Sequence, residues 1–362
     1  MKVLFVTRKF PPHVGGMERA AGELHEHLSQ ISEVKLIKWG GSNRLLLLIL
    51  PYFLLYAIWI RLTSHVDCVY LQDGLLAPIG LVLKLLRKPV VITVHGLDIT
   101  YRNRAYQIVI PRCLKRLDRV VCISDATAQE CVSRGVPREK TVMISWGVSD
   151  RFRVDGGKAA LRERIATEFG VRLAGEKLLF SVGRVVERKG FHWFVQEVMP
   201  MLLKEKACVK YVIAGDGEFR KELERVISRS GLGEYVILLG KVEDDALRLA
   251  YSAADIFVMP NIHVPGDMEG FGLVALEASS SGLPVVASDM EGINKAVTDG
   301  ENGFLVERGD ARGFVDIILG LLRDEVRCGE VGRRGREFTL RNHGWETCAK
   351  RYLEEFQTVT GQ

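Results

Sequence analysis

Several features that would classify a chain of 362 residues at once are missing from this one. The seven cysteines (Cys68, Cys113, Cys122, Cys131, Cys208, Cys328 and Cys348) are odd in number, widely spaced and include no C-x-x-C pair. That spacing argues against a disulfide scaffold and a thiolate metal site, and it fits a reducing compartment. No block of like charge stands out: the net charge is +5 and Lys and Arg are spread along the chain, so nucleic acid is not the favoured partner. A modest basic excess still suits anionic diphosphates or an anionic membrane surface. The stretch Lys2 to Thr7 reads as a buried strand and lacks the regions of a secretory leader, so the expected location is the cytosol.

Two chemical signatures are also absent. No G-x-G-x-x-G follows the first strand, where Thr7-Arg8-Lys9 stands instead, and this counts against a dinucleotide oxidoreductase. No Asp-x-Asp follows a strand to hold Mg²⁺ on a diphosphate, so no metal or other cofactor is expected. The nearest imitation, Asp216-Gly217-Glu218, reads as a loop leading into a helix cap.

What is present is an ordinary soluble composition, 47% hydrophobic and 26% charged, on a chain too long for one core, so two domains are expected. Short β-branched runs recur at Val3 to Val6, Val34 to Ile37, Cys68 to Leu71, Val90 to Val94, Val120 to Ile123 and Val142 to Ile144, with helical spacing between most of them. After the charged, glycine-containing stretch Ser149 to Lys158 the pattern restarts, with strands at Leu178 to Val182, Val209 to Ala214, Val236 to Leu239, Ile256 to Met259 and Val285 to Ala287. Strand and helix in alternation predict two Rossmann-like, doubly wound parallel sheets of the α/β class, with a linker near Asp150 to Gly157.

Open parallel sheets bind ligands beyond the carboxyl ends of their strands. If two such sheets face each other, both sets of strand-end loops line one cleft. The unusual residues lie in such loops. Glu269-Gly270-Phe271-Gly272-Leu273-Val274-Ala275-Leu276-Glu277 follows a strand and opens a helix. Glycines at a helix start let backbone approach a ligand, the unpaired amides and the dipole favour an anion, and Glu277 further along could accept ribose hydroxyls. Taken by itself, a glycine-capped helix with two solvated glutamates explains the stretch equally well. After Leu178 to Val182 comes Gly183-Arg184, then Glu187-Arg188-Lys189-Gly190, which places two cations at a strand end where they could clamp a diphosphate. In the first half the Gly15-Gly16 turn follows strand one, and His95-Gly96-Leu97-Asp98 follows Val90 to Val94, so the imidazole is expected to face the strand ends.

Leu45 to Ile60 is uncharged for sixteen residues and interrupted by Pro51. It is short for a membrane span. Two readings stay open: a helix buried against the first sheet, or a monotopic surface at the inner face of the membrane near a lipid-linked acceptor, with Tyr52, Tyr56 and Trp59 as interfacial aromatics.

Together these segments resemble the retaining glycosyltransferases of family 4, which have the GT-B fold. The resemblance runs over nearly the whole chain: K-F-P-P-x-x-G-G at Lys9 to Gly16, H-G-x-D at His95 to Asp98, C-I-S-D at Cys122 to Asp125, W-G-V at Trp146 to Val148, G-R-x-x-E-x-K-G at Gly183 to Gly190, A-G-D-G at Ala214 to Gly217, and E-x7-E at Glu269 to Glu277. It implies an acceptor-side domain over 1–153, joined by a C-terminal helix over 344–358, and a nucleotide-sugar domain over 154–343. It implies a nucleotide-diphosphate sugar as donor and a saccharide or lipid-linked acceptor. Glu269 and the backbone of Gly270, Phe271 and Gly272 would hold sugar hydroxyls, with His95 beside them. Arg184, Lys189, Gly15, Gly16, Gly183 and the amides of Leu273 and Val274 would hold the diphosphate, Glu277 the ribose, and the backbone of Lys241 and Val242 the base. Trp146 departs from the Asn usual in the family before Gly-Val, and the expected effect is confined to a turn. A sugar-nucleotide epimerase of the same fold, or a non-catalytic sugar-nucleotide-binding subunit, would share much of this pattern.

Overall fold

A computed structural model describes residues 1–12, 16–41, 45–96, 98–173, 175–265, 267, 271–290 and 292–362. Gly15, Glu269 and Gly270 therefore lie outside the described residues, as do Arg44 and the side chain of Leu47.

The chain divides into two compact units, Met1–Gly147 with His343–Gln362, and Val148–Asn342. The first unit holds strands β1 (Lys2–Thr7), β2 (Glu33–Lys38), β3 (Cys68–Leu71), β4 (Val90–Val94), β5 (Arg119–Cys122) and β6 (Thr141–Met143). They form one parallel sheet in the order β2-β1-β3-β4-β5-β6. Runs such as VVITV in β4 are buried throughout, as a parallel strand covered on both faces must be. On one face Phe5, Leu24, Tyr70, Tyr352 and Phe356 pack beneath the helices Gly16–Ile31 and Trp345–Thr360. The Tyr70 hydroxyl lies 2.8 Å from the Thr93 hydroxyl, which lies 3.0 Å from that of Tyr352, so a buried hydroxyl chain ties the last helix to the sheet. The other face carries the helices Leu46–Thr63, Ala77–Leu85 and Arg104–Leu114 over Leu4, Phe53, Leu83 and Leu114.

The second unit holds β7 (Lys177–Val182), β8 (Val209–Ala214), β9 (Val236–Gly240), β10 (Ile256–Met259), β11 (Val285–Ser288) and β12 (Phe304–Val306), all parallel, in the order β12-β11-β10-β7-β8-β9. The expected fold class is therefore what the chain adopts, with one strand more than the sequence pattern marks. At three residues, β12 is too short to show a period. The winding direction reverses between β1 and β3 in one sheet and between β7 and β10 in the other, and ligands of open α/β sheets bind at such switch points.

Two local expectations are corrected. The helix Leu46–Thr63 runs through Pro51 instead of being interrupted there. Pro51 has no N–H to offer Leu47, a single bond lost near the helix start. The Asp216-Gly217-Glu218 loop caps no helix: the next one, Arg220–Arg229, starts after Phe219 with no side-chain cap, and Asp216 Oδ1 accepts instead from the Gly217 amide at 2.8 Å. The reason is the neighbouring loop. Val185 N donates to Asp216 O and Phe219 N to Val185 O, each at 3.0 Å, so the segment is fastened to the end of β7 before the helix begins.

Candidate active site

In the second unit the switch-point loops lie backbone against backbone. Gly190 has φ +65°, and a Cβ there would stand 1.8 Å from the Pro260 carbonyl oxygen; at Gly215 (φ +137°) it would stand 1.9 Å from that of Gly183. Only glycine fits either place. These contacts hold the ends of β7, β8 and β10 together. Arg184, just beyond β7, is exposed, whereas Lys189 is buried at the end of a short 3-10 turn, with its Cε 3.3 Å from where a Cβ on Gly183 would be.

After β10 the chain reaches buried Phe271 and then Gly272, whose φ of +72° starts the helix Leu273–Ser280 with no side-chain cap. Leu273 and Val274 are its first residues, so their amides are the unpaired donors of a helix start. Glu277, one turn further, is buried and not solvated: the Tyr251 hydroxyl donates to its Oε2 at 2.9 Å. Lys241 and Val242 directly follow β9, with Lys241 exposed. The arrangement offers backbone donors and two cations to an anion, beside a carboxylate to accept hydroxyls.

The first unit builds its strand ends with side chains. Arg8, after β1, pairs with Asp73, after β3, at 2.7 Å, and Asp73 is fully buried. Asp73 Oδ1 also accepts from the Leu75 amide at 2.7 Å. Asp98 accepts from the His95 amide at 2.7 Å and from the Gly74 amide at 3.0 Å, stapling the loop after β4 to the loop after β3. Burial pushes the Asp98 carboxyl up from the ordinary carboxylate range and the Asp73 charge adds to it, against the pull of His95 and the two amides. His95 Nε2 lies 2.6 Å from the Gln72 carbonyl oxygen. A carbonyl only accepts, so Nε2 carries a proton.

Trp146 is not confined to its turn, contrary to the expectation above. Its Cζ3 lies 3.3 Å from where a Cβ on Gly16 would stand, and its ring is centred 5.4 Å from that of His95. It therefore packs on two of the anticipated donor-site residues. Gly16 itself opens the helix Gly16–Ile31, where Lys9 and Glu18 pair at 2.8 Å across the Pro-Pro turn. Ser124 of the C-I-S-D segment caps the helix Asp125–Ser133 through the Thr127 amide at 3.2 Å, which gives that motif a structural role.

The structure thus places Gly183, Arg184, Lys189, Phe271, Gly272, Leu273, Val274, Glu277, Lys241 and Val242 at the strand ends of one sheet, and Gly16 and His95 at those of the other. The sequence reading passed over Asp73 and Tyr251. Asp73 stands two residues after a strand, the rule that flagged His95. Tyr251 is interior to the helix Asp244–Ala253 and carries no local signal.

Residues 8–152 match the family described as Glycosyltransferase Family 4, and residues 176–324 match that described as Glycosyl transferases group 1. The chain is 28% identical over 381 residues to the GDP-mannose-dependent alpha-(1-6)-phosphatidylinositol monomannoside mannosyltransferase of Mycolicibacterium smegmatis, covering 97% of each chain. It is 30% identical over 240 residues to the lipopolysaccharide core biosynthesis glycosyltransferase LpsE of Rhizobium meliloti, covering 66% of this chain and 64% of that one. Among solved structures, Anabaena HepE in complex with UDP superposes with a TM-score of 0.72 at 21% identity, over 99% of this chain and all of that one, a likeness of fold.

Proposed function

The chain belongs to glycosyltransferase family 4, and from that premise we propose that it moves a hexose-type sugar, with retention and without a metal ion, from a nucleotide-diphosphate sugar to a saccharide or lipid-linked acceptor in the building of a glycan. The observation that carries this reading is Lys189 and Arg184 at the end of β7, in the same sheet as the uncapped start of the helix Leu273–Ser280, which follows β10 at the switch point.

When the bond from the anomeric carbon to the donor phosphate oxygen breaks, negative charge grows on the diphosphate. Arg184, Lys189 and the amides of Leu273 and Val274 offset that growth, an interaction stronger in the transition state than in the ground state. The departing phosphate oxygen takes the proton of the acceptor hydroxyl as that hydroxyl bonds to the same face of the anomeric carbon, so no carboxylate nucleophile is needed. Glu277 accepts the ribose hydroxyls, Lys241 and Val242 offer backbone to the base, and His95 and Gly16 serve the sugar and the phosphates. Glu269 and Gly270 keep their proposed sugar-binding role. The relatives' names support a glycan product, and the GDP-mannose named for the Mycolicibacterium enzyme and the UDP of the structural neighbour support a nucleotide-sugar donor. The enzyme works at the inner face of the membrane, which it meets through the run Leu45 to Ile60.

The test is product analysis with a panel of nucleotide sugars and candidate acceptors. Release of nucleoside diphosphate that depends on acceptor, with the donor's anomeric configuration kept in the product, is the expected result. Inverted product overturns retention, and an isomerised sugar nucleotide formed without acceptor overturns transfer.

A further inference from the structure

Among the described residues the second unit exposes few large apolar side chains and the first exposes many. Among the described residues fifteen large apolar side chains are strongly exposed; twelve of them lie between positions 45 and 109, and only Tyr235 and Val326 belong to the second unit. The helix Leu46–Thr63 is not amphipathic: it is apolar on both sides. Phe53, Ala57 and Ile60 are buried against the sheet, while Leu48 (70%), Leu55 (69%), Trp59 (57%) and Leu62 (76%) face outward, and the rings of Tyr52, Tyr56 and Trp59 stack in succession along it. One side of the run is thus the helix face buried against the first sheet, and the opposite side is exposed.

The exposed face does not end with that helix. The helix Ala77–Leu85 packs beside it and the helix Arg104–Leu114 beside that one. The first presents Leu85 (76%) and Leu86, the second Ile108 and Val109. A patch on three adjacent helices of one layer is larger than scattered apolar residues need.

Charge follows the same boundary. Positions 34 to 117 hold twelve Lys and Arg but three acidic residues, and the rest of the chain holds 38 against 42. All three acids are withdrawn from the surface patch. Asp73 is buried against Arg8, Asp98 holds the amides of Gly74 and His95, and Asp67 accepts from the Lys2 amide and His65. Arg87, Arg102, Arg104 and Arg112, by contrast, are exposed on or beside the three helices. No helix among the described residues is long and apolar enough to cross a membrane.

We infer that the outer face of the helices Leu46–Thr63, Ala77–Leu85 and Arg104–Leu114 is a docking surface for an anionic lipid bilayer. This rests on the glycosyltransferase reading and sharpens its partner: the contact is a three-helix face, and its lipid is negatively charged. Leucines enter the interface, the stacked aromatics sit at headgroup depth, and the arginines meet lipid phosphates. An apolar face alone would fit a second copy of the chain as well. The cationic surround decides against that, because two copies would bring like charges together.

The experiment is sedimentation of the full chain with vesicles of phosphatidylcholine mixed with phosphatidylglycerol, and with phosphatidylcholine alone, at low and high salt. Two exposed-residue variants are compared, L55S/W59S/L62S and R87E/R102E/R104E, each checked for an unchanged melting transition and unchanged stabilisation by nucleotide sugar. The wild type is expected to partition roughly tenfold more strongly into anionic vesicles, each basic residue at the surface adding to the attraction. High salt and the arginine variant each remove that preference. The serine variant loses binding at every salt concentration. Equal binding to neutral vesicles overturns the lipid-charge assignment. Undiminished binding of the serine variant overturns the face, as does a vesicle-free dimer that the serine variant dissolves. A chain that binds no vesicles yet is stabilised by a nucleotide sugar overturns docking and leaves the enzymatic reading standing.

Discussion

Each unit carries a six-stranded parallel sheet, and the two finish it differently. At the strand ends of the second unit, loops are held by backbone pressed on backbone, as at Gly190 against Pro260 and Gly215 against Gly183. At those of the first, the fastening is done by side chains: Arg8 with Asp73, Asp98 with two amides, Trp146 over Gly16 and His95. A site made of backbone donors and two cations suits a ligand part that does not vary, such as a diphosphate. A site made of side chains changes with each substitution, which suits the part of the reaction that differs between enzymes. The outer surfaces differ in the same sense, since among the described residues only the first unit leaves a large apolar, cationic face uncovered.

The largest effect is expected in the second unit. Lys189→Ala, and separately Arg184→Ala, should lower kcat by about 10²–10³-fold, the scale for removing one donor to developing charge. Steady-state kinetics with a check on the melting curve measures it; near-wild-type turnover removes that residue from the phosphate site. In the first unit the corresponding change is one of stability. Asp73→Asn removes the buried carboxylate charge from its pair with Arg8, which should cost about 3 kcal/mol in urea unfolding. A loss under about 1 kcal/mol would show that solvent or another group already satisfies Arg8.

These two contrasts follow what the sequence revealed and what it hid. The parallel sheets were legible because buried parallel strands read as unbroken β-branched runs, and their ligand-facing ends follow from topology alone. The places of Arg184 and Lys189 after β7, and of Leu273 and Val274 at a glycine-preceded helix start, were legible because glycines and cations at strand ends stand out in the chain. The Arg8–Asp73 pair and the Tyr251 hydroxyl on Glu277 were hidden, since each joins segments far apart in sequence through one side-chain contact. The outer face of Leu46–Thr63 was half legible: the composition showed too many leucines for one buried side but not which of them point outward. Leu54, which would have been a natural choice for testing a membrane contact, packs on the core, while Leu55 beside it is exposed.

Smaller effects sharpen the contrast further. Tyr251→Phe removes the hydrogen bond to buried Glu277 and should raise the donor KM by about tenfold with kcat nearly unchanged, in keeping with roughly 1.5 kcal/mol for a bond to a charged group. An equal fall in kcat would make Glu277 part of the transition-state machinery. Trp146→Asn, the residue usual in the family, removes the ring from Gly16 and His95. It should lower kcat severalfold with donor affinity retained. Unchanged kcat would confine Trp146 to its turn. Excess EDTA is expected to have no effect on turnover; loss of activity that Mg²⁺ or Mn²⁺ restores would reveal a metal site.

The central claim, that a nucleotide diphosphate is held by the β7 end and the uncapped helix start of the second unit, is tested most directly by thermal unfolding with a panel of nucleotide sugars, on the wild type and on Lys189→Ala in parallel. The account predicts that at least one nucleotide sugar stabilises the wild type, by roughly 2.7 kcal/mol at about a hundred times its Kd, and that most of this gain disappears in the variant. A gain as large in Lys189→Ala as in the wild type would contradict it.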